Sequence, residues 1–122
     1  MSVLDGWFDA VARRLEGADA RVDRGRMLQA DGLRVGGRIF AMLQGGDLVV
    51  KLPAARVAEL LARGEGRAFT RGSDGPVMRE WVRLRPDDEA ECAAWMVEAR
   101  AFVATGAGSG GAARRSRGRA RA

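Results

Sequence analysis

Apolar positions between Gly32 and Leu52 fall into short runs separated by paired glycines, in the stretch GLRVGGRIFAMLQGGDLVVKL. The runs are Leu33–Val35, Ile39–Leu43 and Leu48–Leu52, and the gaps between them hold Gly36-Gly37 and Gly45-Gly46. The tight turns that match strand twist need positive φ, which glycine adopts without strain, so this spacing predicts an antiparallel meander. Ile39 to Leu43 is apolar on both alternating sets, which predicts a central strand covered on both sides. In the next strand Leu48, Val50 and Leu52 share one face, and Val49 and Lys51 share the other.

Helical periodicity brackets the meander. Leu4, Trp7, Phe8, Val11 and Leu15 form one apolar stripe over residues 2–16, with Ser2 and Asp5 as a capping box and Gly17 as the stop. Residues 17–25 read as a polar connector. Arg26 to Ala30 opens the sheet through Met27 and Leu28, with Asp31-Gly32 as the following turn. Pro53 starts a second helix whose inward face is Ala54, Val57, Ala58 and Leu61, and Gly64 ends it. Arg67–Thr70 and Val77–Leu84 read as strands around the turn cluster at residues 71–76. A last helix opens at Pro86-Asp87-Asp88-Glu89, carries Cys92, Trp95, Met96, Ala99, Phe102 and Val103 on one stripe, and closes at Gly106. The order is α-β-β-β-α-β-β-α: an α+β fold with a single, mostly antiparallel sheet of about five strands and helices packed on it.

Charge divides the chain in two. Residues 105–122 carry Arg114, Arg115, Arg117, Arg119 and Arg121 and no acidic residue; setting those five aside leaves 16 basic residues against 16 acidic ones. The net charge of +5 therefore belongs to the end of the chain, and the reading is a domain over 1–104 followed by a disordered basic tail over 105–122. Arginines on a flexible chain suit the phosphate backbone of nucleic acid without reading its sequence; a solvated tail is the alternative. Cys92 is the sole cysteine, which fits a reducing cytoplasm. The N-terminal stretch lacks the basic leader of a secretory signal, and no apolar run approaches the ~20 residues of a membrane helix. Arginine crowds out lysine, and Asn, His and Tyr are absent, a bias that reads as a G+C-rich bacterial genome.

Catalytic chemistry has few candidates. Without histidine there is no imidazole base or metal ligand. Cys92 lies on an apolar stripe, which predicts a buried, inert thiol. Asp87, Asp88, Glu89 and Glu91 complement a helix dipole, which explains them without a metal. GAGSGG at residues 106–111 lacks the flanking strand and helix of a phosphate loop. Lys51, the sole lysine, reads as a solvated edge residue, with an amine beside a ligand pocket as the alternative. The expectation is a chain that is not an enzyme and holds no cofactor or metal. The features left over are the basic tail and the strand face of Arg79, Trp81 and Arg83, extended across the sheet by Val49 and Lys51. That face is a contact surface for a partner protein, with a second copy favoured, a platform that stacks on nucleic-acid bases, or a tryptophan covered within its own monomer.

The segments GLRVGGRIFAMLQGGDLVVKLP, RVAELLARGEG and VMREWVRL resemble the TfoX N-terminal domain family, which is related to YjbR-like proteins; the resemblance covers Arg26 to Val103. It implies a small α+β domain with an antiparallel sheet, of a kind found in bacterial regulators of natural competence, where a second, helical domain follows. No counterpart of that second domain is expected here, and the family offers no catalytic residues to carry over. The resulting expectation is a cytoplasmic, non-catalytic domain acting through protein contacts with a regulatory role. Nucleic-acid binding through the tail, and an enzyme or small-ligand site, are the alternatives.

Overall fold

A computed structural model describes residues 2–27, 30–70 and 75–106. Its order is α1 (Val3–Ala18), β1 (Val22–Met27), β2 (Ala30–Val35), β3 (Arg38–Gln44), β4 (Asp47–Lys51), α2 (Ala54–Ala62), β5 (Arg67–Thr70), β6 (Val77–Leu84) and α3 (Glu89–Ala104). The strands form one antiparallel sheet in the order β1-β2-β3-β4-β6-β5. The α+β class stands, with one strand more than the pattern predicts.

The sheet opens earlier than expected: β1 takes in residues 22–25, read as a polar connector, together with Arg26 and Met27, read as the opening of the sheet. Val22 pairs with Val35, and Asp31 and Gly32, expected in a turn, sit in β2 opposite Arg26 and Gly25. Leu28 lies outside the described residues, as does the core of the turn cluster at residues 71–74. β1 is an edge strand, so it needs few apolar side chains, and Val22 is its inward anchor at 5% exposure. Ion pairs do the rest. Arg34 of β2 reaches Asp23 at 2.9 Å, and Arg24 reaches Asp9 and Glu16 of α1 at 2.8 and 3.2 Å. Charges along an edge also discourage pairing with a foreign strand.

The meander itself follows the sequence reading. Gly36, Gly37, Gly45 and Gly46 all have positive φ, between 59° and 82°, as two-residue primed turns require. A bulge sets the geometry of the central strand: Leu33 pairs with Ala41 and Arg34 with Ile39, so Phe40 is the unpaired extra residue. Phe40 enters the main core with no exposure at all.

The helices end as local chemistry dictates. Ser2 and Asp5 form the reciprocal capping box of α1 at 3.2 and 2.8 Å, although the helix runs on through Gly17 to Ala18. Asp88 caps α3 by accepting from the Glu91 amide at 2.8 Å. Gly64 closes α2 at φ 72°, with the Glu65 and Gly64 amides donating back to the Leu60 and Leu61 carbonyls. The inward residues of α2 are Val57 and Leu60; Ala54 and Ala58, expected inside, are exposed. Among the described residues no helix is long and apolar enough to cross a membrane.

One core joins all the helices to one face of the sheet. Phe8, Val11 and Ala12 of α1, Val57 and Leu60 of α2, and Cys92, Met96, Ala99 and Val103 of α3 meet Leu33, Ala41, Leu48, Val50, Val82 and Leu84. Truncating Phe40 to alanine should cost about 3–5 kcal/mol, because its fully buried ring would leave a void in this core. Chemical denaturation of Phe40→Ala against wild type checks that loss.

Candidate functional site

The opposite face of the sheet is the candidate site. Alternation sends Met42, Val49, Lys51, Trp81 and Arg83 away from the helices, and the register sets Val49 opposite both Met42 and Arg83, and Lys51 opposite Trp81. Met42, Val49 and Phe69 form a second, smaller cluster here with Met78 and Trp81 against it, and no helix residue belongs to it. Val49 is nonetheless fully enclosed and Met42 only 4% exposed. Long side chains supply the cover. The Arg83 guanidinium carbon lies 5.8 Å from the centre of the Phe69 ring, the Lys51 Nζ lies 5.9 Å from that of Trp81, and the two rings tilt together at 6.3 Å.

The structure thus brings together four of the five predicted surface residues. Val49 supports the face from beneath, and Trp81 and Arg83 are half-buried upon it. Lys51 departs from expectation. It is on a central strand, flanked by β3 and β6, and is 7% exposed rather than a solvated edge residue. Burial lowers its pKa from the ordinary lysine value, the Glu80 carboxylate opposes that, and Arg38 adds to it. Arg79 stands apart and exposed. It borders a groove of about 350 Å³ between α2 and β6, otherwise lined by apolar residues that include Ala54, Ala58, Met78 and Trp81. The register of β5 with β6 shifts beside this groove: Ala68 pairs with Val82 but Thr70 with Val77. The tail arginines 114, 115, 117, 119 and 121 lie outside the described residues.

Sequence reasoning missed Asp47. It begins β4 directly after the Gly45-Gly46 turn and is 2% exposed. Three guanidiniums converge on it: Arg67 at 2.6 Å and Arg83 at 3.0 Å on Oδ2, and Arg85 at 2.9 Å on Oδ1. Arg83 also donates to the Gln44 carbonyl at 2.9 Å. Gly45 is required by its positive φ, and a Cβ there would stand 2.6 Å from the same Arg83 nitrogen and displace that guanidinium. An aspartate after a glycine turn is an ordinary hairpin signal. Only the register of β4, β5 and β6 reveals its partners, and that register is not written in any short motif.

Burial pushes the Asp47 carboxyl up, but hydrogen bonds from Arg85 and Arg83 and the charges of Arg67 and Arg83 outweigh it, holding the group below the ordinary 3.8. Cys92 is buried, and burial drives its thiol up to about 11, which keeps it protonated. Asp88 is engaged as a helix cap, and among the described residues no three cysteine or carboxylate side chains gather as a metal site would need. Comparison of the chain with protein-family models, curated proteins and solved structures finds no match to any of them.

Removing the Asp47 charge should cost on the order of 2 kcal/mol. That is less than the 3–5 kcal/mol of a fully buried pair, because Arg67 and Arg85 are more than half exposed. A carboxyl with a lowered folded-state pKa stabilises fully above its unfolded value and loses that contribution as pH falls through the folded one. Thermal unfolding of wild type and Asp47→Asn should therefore differ by a constant margin from pH 7 to about pH 5, and the margin should shrink below about pH 4.

Proposed function

We propose that this chain is a non-catalytic, cytoplasmic domain of the TfoX N-terminal type that works through protein contacts, the first of them with a second copy of itself, and with a regulatory outcome. The observation that carries the reading is Trp81, half-buried on the sheet face opposite the main core, tilted against Phe69, close to the Lys51 ammonium and at the edge of the groove beside α2. Tryptophan and arginine dominate the energetics of protein interfaces, because each offers a broad, planar contact that is pre-ordered. Here the tryptophan is packed against Phe69, and the exposed Arg79 borders the same groove.

The absence of catalysis is supported by how the reactive groups are used. The lone thiol is packed among α3 neighbours with its proton retained, and the lone lysine is packed against an indole under the sheet's own cover. A two-fold contact would bring the same patch on each copy together, which suits a face with one central aromatic.

Sedimentation of the full chain over a range of concentrations tests the reading. Wild type should show a concentration-dependent dimer, and Trp81→Ala should weaken it at least tenfold, in line with the ~2 kcal/mol of a central aromatic contact. A wild-type chain that stays monomeric throughout would remove the second copy as partner.

A further inference from the structure

The Asp47 cluster carries more positive charge than a structural ion pair needs. Three guanidiniums share one carboxylate, so the group has a surplus of two positive charges. Arg67 and Arg83 are direct cross-strand partners, an arrangement that repels unless an anion lies between them. Asp47 supplies that anion from below, at 2% exposure, and orients the forks.

The arginines differ in what they have left to give. Arg83 is committed: Nε donates to Asp47, Nη2 to the Gln44 carbonyl and Nη1 to the Gln44 side chain. Arg67 donates to Asp47 through Nη2 only, and Arg85 through Nε only. Their other N–H donors meet no acceptor among the described residues, and the two side chains are 56% and 72% exposed. Each guanidinium has five N–H groups, so most of the donor capacity of both faces outward.

We propose that this end of the sheet face is an oxyanion site that takes a phosphate monoester dianion between Arg67 and Arg85, with Asp47 as a positioning residue. The charge fits, since a monoester carries about −1.5 to −2 near pH 7, against a surplus of two. The chemistry fits as well: Arg67 and Arg85 are held on the two oxygens of one carboxylate, and planar forks pair bidentately with phosphate oxygens. A phosphodiester, with one charge per phosphate, would leave part of the surplus unmet. Inorganic phosphate and an organic monoester share the favoured chemistry. The site does not depend on self-association through Trp81, which lies further along β6.

Calorimetric titration of the full chain in phosphate-free, low-salt buffer tests this, using inorganic phosphate, phenyl phosphate and dimethyl phosphate. The comparison is wild type against the Arg67→Gln/Arg85→Gln double variant, both of which keep the tail arginines. Wild type should bind inorganic phosphate or phenyl phosphate saturably at one site, the double variant at least tenfold more weakly, and dimethyl phosphate should bind more weakly than either. Tighter binding of phenyl phosphate would identify an organic monoester as the ligand, and equal binding the free ion. Arg85→Gln alone, at the most exposed position, keeps the test valid should the double variant unfold, and should weaken binding at least threefold. No saturable binding, equal affinity in wild type and the variants, or dimethyl phosphate bound as tightly as the monoester would overturn the proposal.

Discussion

A buried carboxylate between three guanidiniums is the constraint on which the second face of this sheet depends. The first face has an ordinary solution, in which all the helices share one core with the inward residues of the strands. The second has no helix residues in its cluster, yet Val49 is fully enclosed there. It packs with Met42 and Phe69, with Met78 and Trp81 against them and the Arg83 and Lys51 cations near the two rings, and those long side chains must be kept from wandering. Asp47 holds Arg83 in place, Arg83 covers Phe69, and Phe69 supports Trp81. Side-chain entropy opposes such ordering by up to ~2 kcal/mol for each arginine, which makes a buried, multiply bonded anchor necessary.

The same anchor couples structure to the functional readings. A pre-ordered tryptophan loses little freedom on meeting a partner, and pre-ordered arginines lose little on meeting an anion. The exposed ends of Arg67 and Arg85 are available because Asp47 uses only one donor of each. Packing on one side of the sheet and the recognition proposed for the other are thus separate problems, joined through the register of β4 with β6.

Most of the fold is legible in the residues because its signals are local. Glycine pairs announce the primed turns, Ser2 and Asp5 the first cap, and the Cys92–Val103 stripe the burial of α3. Where the reading fails, the missing information is long-range. β1 looks like a connector because an edge strand held by Asp23, Arg24 and Arg34 needs little hydrophobicity. Lys51 looks solvated because nothing in β4 says that β6, which follows α2 and β5, returns to its outer side. Leu60 hides among alternatives in a short helix until the sheet, β6 above all, shows which way it faces. The Asp47 cluster is the extreme case, since Arg67, Arg83 and Arg85 are 20 or more positions from Asp47.

A double-mutant cycle between Asp47 and Arg83 measures the central interaction directly. Unfolding free energies of wild type, Asp47→Asn, Arg83→Gln and the double variant should reveal a coupling of about 1–3 kcal/mol, as residues within one ion-pair network do. Additive losses, agreeing within about 0.5 kcal/mol, would contradict the account, because Asp47 would then not be what holds Arg83 over the second face.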